Sequence, residues 1–197
     1  MPQSVDMPRA NVIVARGKLQ LRDHHPSLAL FCSVKCPGML ILKAYDFARL
    51  VRGSGIAIVG GFHSPIEKDC LETLLRRSGL VIICPARRLS ESRLPREWQK
   101  AIKAGRMLLL SPFDEKQKRA TSELAVERNR FVASIADAVL IVYAHPGSKT
   151  EALCCETLAS GKRVYTFNDP ANQHLIEMGA FPIEPDHFSR LTNEPKA

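Results

Sequence analysis

The strongest constraint on the fold is the stretch from Glu127 to Phe167. At its centre lies Ala138 to Tyr143, AVLIVY, a continuous apolar run rich in β-branched residues. The run is too short for a free-standing helix and shows no polar alternation. It reads as a strand buried on both faces, as in a parallel sheet. A small polar elbow follows, His145-Pro146-Gly147-Ser148-Lys149-Thr150. After it come a helical stretch from Glu151 to Ser160, a helix stop at Gly161 and a second apolar run, Val164 to Phe167. This is a βαβ unit with its polar turn at the strand's carboxyl end, the edge where ligands bind in open α/β sheets. Arg128 and Arg130 stand just before the strand. An anion-binding crevice is therefore expected at the centre of the function.

The same alternation runs through the rest of the chain. Strands are expected at Leu28 to Ser33, Ile56 to Val59, Leu80 to Cys84 and Met107 to Leu110. Between them, Met39 to Arg52 places apolar residues at helical spacing, and Pro95 opens a helix stopped by Gly105. Ser64-Pro65-Ile66-Glu67 supplies an N-cap, an N1 proline and an acidic first turn to a helix reaching Arg77. Asp114 to Ala136 has a largely helical pattern, with the charged part before Leu124 readable as helix or loop. A turn and short helix are expected over 168–179, then an irregular tail holding Pro182, Pro185 and Pro195. Residues 1–26 fit either an extra edge strand or a loose arm. The expectation is an α/β fold: a doubly wound, mostly parallel sheet of about six strands in a single domain over residues 27–183, with an irregular tail over 184–197.

Composition narrows the class. Hydrophobic residues make up 45% and charged residues 24%, as in soluble globular proteins. No apolar run approaches the ~20 residues of a membrane span, and the amino terminus lacks the pattern of a secretory signal. Four of the six cysteines, Cys32, Cys84, Cys154 and Cys155, lie in or beside apolar runs, where cysteine behaves as a small reduced hydrophobe. Cys32-x-x-x-Cys36 has no second pair at zinc spacing, so no metal site is expected. These features point to a reducing cytoplasm. The net charge is +8, and between Ala86 and Arg130 twelve Lys/Arg face six Asp/Glu. A basic field of this kind favours nucleic acid or another polyanion, although a charge run alone is more often a solvated surface.

Three strand ends should deliver small or hydroxyl residues into one crevice: Ser33 to Gly38, Gly60-Gly61, and Gly147 to Thr150. Glycine lets backbone N–H groups approach an anion, and the next helix N-terminus adds its dipole. The candidate phosphate-binding residues are Ser33, Lys35, Gly60, Gly61, Arg128, Arg130, Ser148, Lys149 and Thr150. Neither GxGxxG nor a Walker loop is present, so no NAD or ATP cofactor is expected, and no catalytic residue is assigned. Plainer readings stand beside these. Arg128 and Arg130 could pair with Glu123 or Glu127 along the helix, and Lys35 could be a solvated turn residue. His63 and His145 read as loop histidines, Trp98 as packing and Glu156 as helix surface.

At this point the residues resemble the DNA-processing protein A (DprA/Smf) family, Rossmann-like proteins related to the cytokinin-activating LOG phosphoribohydrolases. Its Arg-Asn-Arg signature stands as Arg128-Asn129-Arg130. Its Ser-Gly-Ser turn is similar to Ser148-Lys149-Thr150, with lysine for the middle glycine. Its closing pattern appears as Asn172-Gln173-His174-Leu175-Ile176 and Gly179-Ala180. In place of its Gly-Ser-Arg turn stands Cys32-Ser33-Val34-Lys35, and in place of its Ser-Gly stands Gly60-Gly61. The resemblance implies single-stranded DNA or nucleotide as ligand, the nine candidates as lining, a RecA-type recombinase as recipient, and homodimers. Activity as an enzyme is not expected. The alternatives are a LOG-like hydrolase of nucleoside monophosphates, in which Leu153 replaces the expected glutamate, and a nucleotide-sensing module.

Overall fold

The computed structural model describes residues 14–89, 94–114 and 116–187. Strands β1 (Val14–Arg16), β2 (Ser27–Cys32), β3 (Ala57–Gly60), β4 (Leu80–Ile83), β5 (Met107–Ser111), β6 (Ala138–Tyr143), β7 (Val164–Phe167) and β8 (Phe181–Ile183) form one sheet. Their order is β1-β5-β4-β3-β2-β6-β7-β8. All pairs are parallel except β1 with β5. The helices are α1 (Gln20–Asp23), α2 (Gly38–Val51), α3 (Pro65–Leu75), α4 (Arg96–Lys103), α5 (Ser122–Ile135), α6 (Lys149–Ala159) and α7 (Gln173–Glu177).

The period-2 alternation of each strand sends its side chains into two separate cores. On one face Leu28, Leu30, Ile58, Leu140 and Val142 pack with Leu40, Phe47 and Val51 of α2 and Ile66, Leu71 and Leu74 of α3. Trp98 of α4 packs against this core too. On the other face Ala29, Phe31, Val59, Val139 and Ile141 meet Phe131 and Val132 of α5 and Leu153 and Cys154 of α6. Burial on both faces explains why the strand sequences are uninterrupted apolar runs.

Strand order reverses between β2 and β6. Strands β3, β4 and β5 extend to one side of that line, and β7 and β8 to the other. The amino ends of the two strands are clamped together. The Asp137 carboxylate accepts from the Ser27 backbone N–H (2.7 Å) and hydroxyl (2.9 Å), and the Asp137 N–H returns a bond to the Ser27 carbonyl (3.1 Å). At the carboxyl ends a topological switch point opens, the crevice position of doubly wound sheets.

The six expected strands are present, and the sheet carries two more. β1 lies antiparallel on the β5 edge, so the edge-strand reading applies to residues 14–16; residues 1–13 lie outside the described residues. The tail is not irregular from Pro182 onward. Phe181–Ile183 pairs with β7, and Pro185–His187 forms a 3-10 turn; 188–197 lie outside the described residues. Proline is compatible with a strand at a sheet edge, where the missing N–H can face away from the ladder. Helix α5 starts only at Ser122, capped by the Thr121 hydroxyl accepting from Leu124 N–H (3.2 Å). In the charged segment ahead of it, the Asp114 carboxylate accepts from Lys116 N–H (2.7 Å), a local bond that competes with helix.

Replacing Asp137 by alanine strips two acceptor contacts from Ser27 at the edge opposite the crevice. Urea unfolding should show a loss of about 1–3 kcal/mol, while ligand affinity at the carboxyl edge stays unchanged.

Candidate nucleic-acid interface

The site is built on three adjacent strand ends. β2 finishes at Cys32, and the next residue, Ser33, bridges to β6. Its N–H donates to the Tyr143 carbonyl (2.9 Å) and its hydroxyl oxygen accepts from His145 N–H (3.1 Å). Ser33 is buried, and this bracing occupies one side of its oxygen. Lys35 is exposed in the same turn. β3 ends at Gly60, which precedes Gly61 and the left-handed Phe62 (φ 47°). Because β3 and β6 both flank β2 in parallel, Gly60 and Ser148 lie at the same edge of the sheet.

Beneath this edge lie a buried carboxyl and a buried guanidinium that act on each other through space. Glu67, in the first turn of α3, completes a capping box with Ser64. Its carboxylate accepts from Cys32 N–H (2.9 Å) with one oxygen and from His63 N–H (2.8 Å) with the other. From the opposite helix layer Arg128 reaches in, buried, and donates through Nη1 to the Cys84 carbonyl (3.1 Å) at the end of β4. Its Nε donates to the Asn129 side chain (2.7 Å). Gly61 leaves the room this requires: a Cβ there would stand 1.6 Å from Arg128 Nη1. Gly61 is thus glycine because a guanidinium fills the space of its side chain.

The two arginines of the Arg-Asn-Arg element diverge. Arg130 lies at the surface and makes a two-pronged bond to Glu156 of α6, at 2.7 and 2.6 Å. This holds the Glu156 carboxyl below its usual range and raises Arg130. Glu156 is therefore more than helix surface, and the pairing of Arg130 crosses between helices rather than running along α5. A groove of about 90 Å³ between α5 and α6 is lined in part by Asn129, Arg130, Lys149 and Glu156.

The hydroxyl turn is a helix start. Ser148 is the N-cap of α6, accepting from Glu151 N–H (3.2 Å). The Glu151 carboxylate reaches back to Gly147 N–H (2.7 Å) and lies 3.6 Å from His174 Nε2. Lys149 donates to the Ser122 hydroxyl at the start of α5. Thr150 is half-buried in the first turn, and the N–H groups of Lys149 and Thr150 find no partner among the described residues. An anion arriving here would meet two N–H groups and a lysine, with Glu151 already holding the Gly147 donor.

Sequence reasoning missed Glu67 and Glu151 as parts of the site. Both carry the same signal, a serine three residues ahead of a glutamate at a helix start, Ser64…Glu67 and Ser148…Glu151. Leu153, where a LOG-like enzyme would place its glutamate, is buried in the α5–α6 core. Among the described residues no cluster of His, Cys, Asp and Glu is arranged to hold a metal, and no helix is long and apolar enough to cross a membrane.

A doubly wound parallel sheet with glycine and hydroxyl turns at its switch point defines a Rossmann-like protein with its ligand edge at the strand carboxyl ends. A model of the family described as DNA recombination-mediator protein A matches residues 3–188, and the chain belongs to that family. Two solved structures are similar at 18% identity. DNA processing protein A from Streptococcus pneumoniae aligns over 94% of this chain and 67% of its own, with a TM-score of 0.75. The Helicobacter pylori protein, whose structure concerns a single-stranded DNA binding mode, aligns over 97% and 92%, with a TM-score of 0.76. A molybdenum cofactor binding protein from Rippkaea orientalis shares the fold more distantly, at 14% identity over 85% of this chain and 94% of its own, with a TM-score of 0.57. A search of curated protein sequences gives no match.

Arg128→Ala should lower stability by about 1–3 kcal/mol, because it leaves the Cys84 carbonyl without its buried donor and empties the space the guanidinium fills beside Gly61. Arg130→Ala should cost under ~1 kcal/mol, as for exposed pairs. Denaturant titrations of the two single variants measure the contrast.

Burial pushes the Glu67 carboxyl above its ordinary range, against its N–H donors and the charge of Arg128. The associated stabilisation is complete below the unfolded-state pKa and fades as pH rises through the higher folded-state value. Glu67→Gln has nothing to titrate there. Parent stability minus variant stability should therefore fall from acid to neutral pH; a difference that rises would reverse the assignment.

Proposed function

We propose that the chain binds single-stranded DNA along the carboxyl edge of the sheet, as a DNA-processing protein of the recombination-mediator family. One observation carries the reading: successive strand ends place cations on the same edge. Lys35 follows β2, Arg87 and Arg88 follow β4, Lys116, Lys118 and Arg119 follow β5, and Lys149 lies just beyond β6. The loops after β4 and β5 are tied together, Arg88 N–H to the Gln117 carbonyl (2.9 Å) and the Ser111 hydroxyl to the Arg87 carbonyl (2.8 Å). Their charges thus belong to one ridge. A strand of phosphates is the ligand whose charge repeats along such a ridge.

In this reading Lys35, Lys149, Thr150 and the exposed side of Arg130 meet phosphate oxygens. Ser33, Gly60, Gly61 and Ser148 shape the floor of the pocket, and Arg128 holds that floor from below. Family membership and the fold shared with the two DNA processing proteins support it. The same reading makes a RecA-type recombinase the recipient of the strand and a second copy of the chain its partner, and it places the protein in a reducing cytoplasm.

Fluorescence anisotropy with labelled single-stranded oligonucleotides over a salt series tests the proposal. Log affinity should fall linearly with log salt, and Lys35→Ala and Lys149→Ala should each reduce the slope by about 0.7. The weakening should be alike for different base sequences. Unchanged slopes in both variants would remove these cations from the interface. Release of ribose 5-phosphate from nucleoside monophosphates would turn the assignment to the hydrolase class.

A further inference from the structure

The three helices on one face of the sheet, α2, α3 and α4, all end at its amino edge, opposite the crevice. Arg49 and Arg52 close α2, Arg76 and Arg77 follow α3, and Lys100 and Lys103 close α4. All are exposed except Arg52, which is half-buried. We propose that this amino edge is a second binding surface, for the phosphate backbone of a further single strand, separate from the crevice at the carboxyl edge.

Cations at helix carboxyl ends are favoured by the dipole wherever a helix stands, yet here they gather on one layer. The last turns of α5 and α6, on the other face, hold no basic residue. The cation that does serve the end of α5 is bonded to it, Lys162 donating to the carbonyls of Ala133 (2.6 Å), Ser134 (2.8 Å) and Ala136 (2.5 Å). Arg49 and Arg76 meet surface carboxylates instead. The ends of the three helices are also joined. The Ser78 hydroxyl after α3 donates to the Arg52 carbonyl (3.0 Å), and Arg106 after α4 donates to the Gly79 carbonyl (3.5 Å).

Between α2 and α3 runs a cleft of about 300 Å³ lined by Tyr45, Arg49, Asp69, Glu72, Thr73 and Arg76. Each helix contributes one arginine to it. Arg49 pairs with Asp46 at 3.3 Å and Arg76 with Glu72 at 3.7 Å, all four side chains more than half exposed. Pairs so exposed hold weakly, and a phosphate offers a guanidinium a two-pronged bond in place of the carboxylate. Asp69 accepts from the Tyr45 hydroxyl (2.8 Å). With these three carboxylates set against the six cations, the edge keeps a positive surplus. Packed helix axes stand about 8–10 Å apart, which leaves room for one flexible backbone and not for a duplex.

Strands of four to six residues put roughly 13–20 Å of backbone between the two edges. One chain thus holds two lengths of strand side by side without needing a second copy.

Stoichiometry per chain tests this, because dimers with one site per chain still bind one. The full chain is titrated at low salt, far above the dissociation constant, with a labelled oligothymidine of about eight nucleotides, the scale of one single-strand site. Two oligonucleotides should bind per chain. Arg49→Glu/Arg76→Glu and Lys35→Glu/Lys149→Glu should each bind one, with circular dichroism reporting that both fold. A second measurement needs no variant: hydroxyphenylglyoxal labelling read by mass spectrometry should find Arg49 and Arg76 shielded by saturating oligonucleotide. One oligonucleotide per chain in the parent, with both arginines labelled equally in its presence and absence, overturns the second surface and leaves the crevice reading standing. Binding that survives Lys35→Glu/Lys149→Glu undiminished and is lost in Arg49→Glu/Arg76→Glu supports the amino edge and overturns the carboxyl-edge reading. A hairpin duplex that displaces the strand from the amino edge overturns the assignment to a single strand.

Discussion

The carboxyl edge of this sheet depends on two buried side chains, the Glu67 carboxyl and the Arg128 guanidinium, each tied to strand ends and acting on the other through space. Glu67 holds the last N–H of β2 and the N–H of His63 after β3, while Arg128 holds the Cys84 carbonyl at the end of β4. Three neighbouring strand ends and two helices from opposite faces are joined through these two side chains. A buried charge is tolerated only when its lone pairs and protons are satisfied and a counter-charge is near. Here the strand ends supply the satisfaction. The pair cannot be kept while the turns above it rearrange freely, which makes the floor of the crevice rigid.

That rigidity assigns the binding edge two kinds of residue. Ser33, Gly60, Gly61 and Arg128 are committed to neighbours, by hydrogen bonds or by close packing, and define shape. Lys35, Lys149 and the cations after β4 and β5 project from that frame and provide charge. The start of α6 mixes both. Its dipole and two N–H groups without a partner among the described residues suit an anion, yet the Glu151 carboxylate occupies the preceding donor. In the proposed reading a phosphate approaches from the Lys149 side, where that charge is offset.

How much of this was legible follows from what generates each feature. Ala138–Tyr143 and Val164–Phe167 coincide with their apolar runs, because a strand buried on both faces has no polar residue to blur its limits. β8 was illegible because three residues containing a proline carry no strand pattern; their pairing comes from the neighbouring strand. The start of α5 was blurred because charged residues suit a helix surface and a loop equally well. In the site, the Arg-Asn-Arg element located the arginines but not their directions. Residues two apart on a helix point about 200° apart, so one turned inward to Cys84 and the other toward α6. Glu67 and Glu156 were hidden for another reason: their partners are 35 and 26 residues away along the chain.

The two borders of the sheet bear on how copies of this chain can meet. In β8 the Ile183 carbonyl accepts from Asn168 N–H, so Phe181 and Ile183 turn their backbone groups toward β7 and Pro182 faces outward. The outward residue is the one with no N–H to offer. At the far border β1 is three residues long and runs against the direction of the rest. Short reversed strands and outward prolines are poor templates for adding another strand. Among the described residues, then, neither border favours growth of the sheet by strand addition, and copies that met would do so through side chains of helices and loops.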